Sequence, residues 1–467
     1  MITYIRINGF KSFHNFEMEF TPLTIIAGTN AAGKSNLFDA LLLLSRMAAV
    51  DLRTAFSEQR GDPMELFTQI EEGVYAEEIE FVVDMLVNRK VKDNWGGEVE
   101  LNNTRLRYTL IINRGKNSLG FEDLFVKKEI LEKIRPDDYK WLRKFPDAKH
   151  LSKALRSGGS REPYIQTSDE NGTPTIKIRQ DSGGGGKATP ANTISQTVLG
   201  GVVNVDFPHV FAVKEEMKSW QFLQLNPEDL RQPTKQEPGI KDTITPTGKN
   251  MAAVLYRMKN KDPYTLLQIT RKLNNFLPNF INVDVQNDQA NHQFIIKLKD
   301  RDGKEYSSRV LSEGTLRLLL LCILDFDEKH NGLLCFEEPE NGINPYRIDT
   351  MAQLLKDLSV DFADNDLQLR QVIVNTHSPV LVSKMIQWRY DINVSVHYAS
   401  MVTRVTNYNN KRVKIGVTKI ISAIKQRESQ MQIPFTEQER KITLSHIVGY
   451  LESADVHNAI NILENND

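Results

Sequence analysis

Near the start of the chain Ile5 and Ile7 alternate with Arg6 and Asn8, and Phe16, Met18 and Phe20 alternate with Glu17 and Glu19. A period of two is what a half-buried strand requires, so the first twenty residues predict a β-hairpin. Leu23 to Ala27 is apolar except for Thr24 and ends at Gly28, which predicts a central strand feeding a tight loop. Beyond Gly33, Leu37, Leu41 and Leu44 recur at helical spacing as far as about Met47.

The pattern changes after residue 75. Strand-like stretches at Ile79–Val87, Glu98–Asn113 and Tyr164–Arg179 flank a charged region, about 121 to 156, whose composition predicts helix. Asp181-Ser-Gly-Gly-Gly-Gly-Lys187 predicts a flexible loop or linker. Helical patterns resume over 205–275, and Ile281–Val285 with Phe294–Leu298 predict a second hairpin. Ser312 opens a helix, and Leu333–Glu337 and Gln371–Asn375 read as buried strands. No internal repeat and no sustained heptad is present.

The 59 Lys+Arg and 60 Asp+Glu leave a formal charge of -1 over 467 residues, so a polyanion would have to be met by a local patch. Two cysteines, Cys322 and Cys335, exclude a disulfide scaffold and a four-cysteine zinc site. The longest apolar run, Leu318 to Leu324, is far shorter than the ~20 residues that span a bilayer. With no signal-peptide core at the N-terminus, the expectation is a soluble cytoplasmic protein with no membrane partner.

Four segments carry candidate chemistry. Gly28-Thr29-Asn30-Ala31-Ala32-Gly33-Lys34-Ser35 is a GxxxxGKS loop between a predicted strand and a predicted helix. Such a pattern arises by chance in a chain of this length with a probability on the order of a per cent. Small residues let backbone N–H groups close around phosphate, and the helix N-terminus adds its positive end. Lys34 can reach the β- and γ-phosphates, and the Ser35 hydroxyl can ligate Mg²⁺. Leu333-Leu-Cys-Phe-Glu-Glu-Pro-Glu340 presents carboxylates at the C-terminal end of a buried strand, where α/β sheets place ligands. There Glu337 can hold the hydration shell of Mg²⁺, and Glu338 can take a proton from an attacking water. Ser312 and Gly314 open an apolar helix and offer a second anion site, although Ser-x-x-Thr at this position is also ordinary capping chemistry. His377 follows a predicted strand, in a place where a lone histidine is more often structural.

In this order the four segments resemble the P-loop, signature, Walker B and H-loop motifs of ABC-type ATPases in the branch that contains SMC, RecF and OLD proteins. The opening Ile7-Asn-Gly-Phe-Lys-Ser-Phe13 is similar to the start of many members of that branch. The resemblance covers about 1–50 and 280–400. It implies an α/β P-loop NTPase of ABC type: a mixed central sheet flanked by helices, with an inserted α+β and helical lobe and no long coiled coil. Residues 1–75 and 276–400 would form the ATPase domain and 76–275 the inserted lobe, with a Gly-rich linker near 181–190. Residues 401–467 would be a small C-terminal extension. By the same resemblance, Gly28 through Ser35 with Asn36 would bind ATP, and Ser35 and Glu337 would hold Mg²⁺. Glu338 would be the general base, and His377 would contact the γ-phosphate or the water. Ser312 and Gly314 would complete the site of a second protomer, implying a homodimer or higher homo-oligomer. Ala31 replaces a frequent glycine, Glu337 stands where most relatives have Asp, and Asn344 stands where His is common. The family's Q-loop glutamine is not located, and Gln69 is too weak a candidate to adopt.

SMC proteins have coiled-coil arms that cannot fit here, and OLD nucleases add a Toprim domain for which the 90 residues after His377 are few. The Asp-x-Asp pairs at Asp300/Asp302, Asp325/Asp327 and Asp364/Asp366 read as solvated surface. No HExxH or paired-His spacing suggests zinc. From Lys127 to Arg156 ten Lys/Arg face five acids, with Trp141 and Phe145 among them. That region is a candidate DNA contact or else a solvated helix face. The leading expectation is the ATPase subunit of a DNA-associated or bacterial defence complex with a separately encoded effector. The alternatives are a slow ATP-dependent switch or scaffold that holds a partner protein, and a repair ATPase resembling RecF.

Overall fold

A computed structural model describes residues 1–422 except Ser118, 136–140, 142–144, 146–154, Ser157, 159–161, 171–172, 181–186, 192–194, Ile240, Asp242, 363–367, Arg389 and 409–410. Its centre is a six-stranded mixed sheet in the order Gln221–Leu223, Gly332–Glu337, Arg370–Thr376, Leu23–Ala27, Val394–Tyr408 and Lys411–Ser422. The first five strands are parallel and the last is antiparallel. Leu23–Ala27 is buried at every position, as expected of a strand covered on both faces. Its neighbour is registered with Thr376 opposite Ala27, and Glu337 lies opposite Asn375, so the C-terminal ends of three strands meet at one edge.

The predicted N-terminal hairpin is present, with Ile7 opposite Phe16. It belongs to an eight-stranded antiparallel sheet that continues through Glu78–Leu86, Arg105–Lys116, Glu122–Lys133, Ile165–Glu170, Thr173–Ile178 and Lys187–Pro190. The helix expected from about residue 121 is instead the twelve-residue strand Glu122–Lys133. Leu124 and Val126 are buried, the register shifts between Val126 and Lys128, and Glu129 and Leu131 are buried beyond it. The extra residue of that bulge breaks the period of two, and the Lys- and Glu-rich composition then reads as helix. Of the rest of the basic stretch, Lys140, Arg143, Lys144, Lys149 and Lys153 lie outside the described residues, as does the Gly-rich run at 181–186, while Trp141 and Phe145 are buried against Phe362.

A four-stranded sheet contains the second predicted hairpin, Phe280–Asp288 with Gln293–Asp300. It packs with the helices Met251–Lys261, Tyr264–Phe276 and Glu313–Phe326 around Leu255, Leu273, Leu298 and Leu320. Helix Glu313–Phe326 is buried from Thr315 through Leu324, which explains an apolar run with no polar face. Asp300/Asp302 lies in a surface turn with Asp302 exposed, whereas Asp325/Asp327 is not solvated surface. Asp300 accepts from the Lys304 N–H and the Tyr306 hydroxyl to close a turn. Asp327 is buried against Arg257 at 2.7 Å, and Asp325 pairs with Lys272 at 2.6 Å. The third pair lies outside the described residues. No helix among the described residues is long and apolar enough to cross a membrane.

Candidate nucleotide site

Helix Lys34–Met47 starts where the central strand ends, and the loop between them is shaped by left-handed residues at Ala31 (φ 63°) and Gly33 (φ 82°). Gly33 has a packing reason as well, since a Cβ there would come 1.8 Å from the Thr418 hydroxyl. Thr418 in turn bonds Ser12 at 2.6 Å, and Asn36 donates to Ser12 at 2.7 Å. The Phe-Lys-Ser-Phe turn therefore braces the loop from behind. The Lys34 ammonium is buried and donates to the carbonyls of Gly28 and Thr29, both at 2.8 Å. Burial lowers its pKa below the ordinary lysine value, while Glu338, Glu340 and Glu337 pull the other way.

The Ser35 hydroxyl donates to Glu337 Oε1 at 2.6 Å. Asn375 Nδ2 bridges both, 3.3 Å from each. Glu338 follows in a left-handed conformation (φ 48°). Its N–H bonds the Asn375 carbonyl at 2.8 Å, its Oε2 accepts from Asn341 at 2.8 Å, and its Oε1 lies 2.9 Å from His377 Nδ1. Glu340 is buried and accepts from Thr376 at 2.5 Å, and burial raises its pKa. Strand register thus brings together Lys34, Ser35, Glu337, Glu338 and His377.

Ser312 and Gly314 stand differently. Ser312 is the exposed N-cap of its helix and accepts from the Thr315 N–H at 3.3 Å. Gly314 packs on the loop after the acids, where a Cβ would come 2.9 Å from the Gly342 carbonyl. Neither forms a hydrogen bond with residues 28–36 among the described residues, and the capping role is the one seen within a single chain. Asn344 caps the short turn Pro345–Arg347.

Three residues escaped the sequence reading. Asn375 could have been found, because a polar residue ends an apolar strand there. Arg60 reaches to 3.9 Å from Glu337 and donates to Gln224 Oε1 at 3.1 Å. Gln224 directly follows Gln221–Leu223, the strand beside the acid strand. Gln69, by contrast, lies exposed on the short strand Gln69–Glu71.

A glycine loop joining a buried strand to a helix, with a lysine inside the loop and a serine against a neighbouring strand's carboxylate, defines a P-loop ATPase. Residues 23–383 match the family described as AAA domain, putative AbiEii toxin, Type IV TA system, and the chain belongs to that family. Forty-five residues are 53% identical to an ATP/GTP phosphatase of Helicobacter pylori, covering 9% of this chain and only 12% of that protein. Similar solved structures are an SMC head bound to the C-winged helix domain of ScpA (TM-score 0.46, 12% identity, 90% of this chain and 98% of that one) and the SMC head domain from Thermotoga maritima (TM-score 0.36, 13% identity, 90% and 98%).

Proposed function

We propose that the protein binds ATP with Mg²⁺ at residues 28–36 and hydrolyses it. The observation that carries this reading is the contact between Ser35 and Glu337, 2.6 Å apart although 302 residues separate them. The Ser35 hydroxyl and the Glu337 carboxylate are hard oxygen donors that fit Mg²⁺, and the Asn375 amide holds both in place by donating to them. When bound, the ion would neutralise charge on the β- and γ-phosphates. Lys34 adds a second positive charge there, and the loop N–H groups hold the phosphate oxygens. Glu338 is the group suited to take the proton of the attacking water. His377 and Asn341 fix its two oxygens, so that its basic lone pair is aimed by neighbours on both sides. Gln224, joined through Arg60 to Glu337, is suited to report nucleotide occupancy to the helical region that follows it.

Ser312 is exposed at the start of a fourteen-residue helix, a position from which it can meet the phosphate of a second copy, so the working unit would be a homodimer or larger. The family description, with its type IV toxin–antitoxin system, supports a bacterial defence setting with a separately encoded partner. The test of the ATPase reading is phosphate release from ATP by the purified full chain. Release that needs Mg²⁺ and stops with EDTA is expected, and no release in either condition refutes it.

A further inference from the structure

The strands Val394–Tyr408 and Lys411–Ser422 form an antiparallel ribbon in register from His397–Ser422 to Tyr408–Lys411. Only Val394–Tyr398 pair with the central sheet; beyond them the two strands pair with each other alone among the described residues. Between Val394 and Ser422 the chain has Arg404, Lys411, Arg412, Lys414 and Lys419 and no Asp or Glu. At the chain's average of 60 acids in 467 residues, that stretch would hold roughly four.

The ribbon has a covered face and an open one. Val413, Ile415 and Val417 pack on Ile70. On the other face Lys414 is exposed opposite Val405, and Arg412 opposite Asn407; Lys411 has the parity of Val413 and is exposed at the ribbon's far end, in register with Tyr408. Lys411, Arg412 and Lys414 form no ion pair among the described residues. The acids of the elements packed on the ribbon are Glu17, which shares a shallow pocket with Arg404 and Lys419 at its base, Glu19 on the same strand, and Glu71, exposed on the strand beneath. The base of the ribbon is a wall of the nucleotide site. The Ala399 carbonyl would come 2.5 Å from a Cβ at Gly28, and Thr418 abuts Gly33. From Thr418 to Lys411 the strand runs roughly 23 Å outward.

We propose that this ribbon is a docking surface for double-stranded DNA, in which its exposed cations, Arg412 and Lys414 on the open face and Lys411 at the end, take backbone phosphates and its two-stranded width enters the major groove. This deepens the ATPase reading and rests on it for the link to nucleotide, but it moves the DNA contact away from Lys127–Arg156. The major groove of duplex RNA is too deep and narrow for such a ribbon.

The test is fluorescence anisotropy of a labelled DNA duplex with the full chain, ATP and Mg²⁺, over a range of salt. Wild type should bind in a salt-dependent way and bind duplex RNA more weakly. Lys411→Glu/Arg412→Glu/Lys414→Glu should bind DNA at least tenfold more weakly. The neutral Gln version of the same triple should flatten the slope of log affinity against log salt by about 0.9 per lost phosphate contact. Both should keep wild-type ATP turnover without DNA. The proposal falls if wild type shows no salt-dependent DNA binding, if the Gln triple keeps the wild-type slope, if RNA binds as well as DNA, or if DNA-free turnover falls with the Gln triple. Absence of turnover in wild type would instead refute the ATPase reading and leave the binding result standing.

Discussion

His377 Nδ1 lies 2.9 Å from Glu338 Oε1, although one follows the strand Arg370–Thr376 and the other follows Gly332–Glu337. Parallel pairing of those two strands is what brings the residues together. Glu338 also holds a backbone conformation with φ 48°, of a kind that costs a side-chain-bearing residue on the order of 1–3 kcal/mol and persists only where surrounding structure fixes it. His377→Ala should leave ATP affinity near wild type and lower turnover, by less than the roughly 10²–10⁴ attributable to the base itself. Steady-state rates beside calorimetric affinities check this, and a loss of affinity without loss of rate would make His377 a binding group instead.

Lys34→Ala should weaken ATP binding by at least tenfold, because the loop loses its only lysine, the one proposed to face the phosphates. The Gly28 and Thr29 carbonyls would also lose their donor, so the loop should become less ordered without unfolding the sheet. Calorimetric titration measures the first effect and circular dichroism the second. Unchanged affinity would remove Lys34 from the site.

Ser312 separates a cap from an intersubunit contact. Ser312→Ala should cost about 1 kcal/mol of stability from loss of the bond to the Thr315 N–H. If the hydroxyl serves a second copy, mixing the inactive Lys34→Ala and Ser312→Arg chains should restore part of the activity, since one of the two joint sites would be intact. Zero activity in a mixture shown by mass measurement to exchange subunits would leave Ser312 as a cap, or require both sites to fire together.

The parts of this site that could be read in advance share one property: each is a local pattern whose geometry is set by neighbours in sequence. The loop from Gly28 to Ser35 is flanked by its own strand and helix, and the acids end their own apolar run. Arg60, Gln224 and Asn375 enter through strand order and register, which a local pattern does not specify. Three of the six central strands, Leu23–Ala27, Gly332–Glu337 and Arg370–Thr376, were legible because they are buried almost throughout. Gln221–Leu223 and the ribbon Val394–Tyr408 with Lys411–Ser422, which leave the core or alternate with exposed residues, were not. Strand Glu122–Lys133 was not, because a bulge at Lys127–Lys128 and a buried Glu129 disguise its alternation.

That glutamate gives a pH prediction. Glu129 accepts from the Val198 and Leu199 N–H groups at 2.7 and 2.8 Å and from the Tyr108 hydroxyl at 3.0 Å, and burial pushes its pKa from 4.5 up to about 7. Below the unfolded value both states carry the proton and no penalty arises. As pH rises from about 4.5 to about 7, the unfolded chain ionises first, so this group takes stability away across that window. Glu129→Gln cannot ionise, so its Tm relative to wild type should climb between about pH 5 and pH 7 and level off above. A difference independent of pH would mean that Glu129 is ionised in the fold throughout.

The central claim is that Glu338 takes the proton from water at a site built by Lys34, Ser35 and Glu337. Glu338→Gln preserves the side chain's shape and its contact with Asn341 through the remaining carbonyl oxygen, but it removes the base. Single-turnover hydrolysis of ATP with Mg²⁺, measured beside ATP affinity on the same preparation, is the most direct test. The predicted result is a fall in rate of roughly 10²–10⁴ with affinity unchanged or tighter. Wild-type hydrolysis by Glu338→Gln would contradict it.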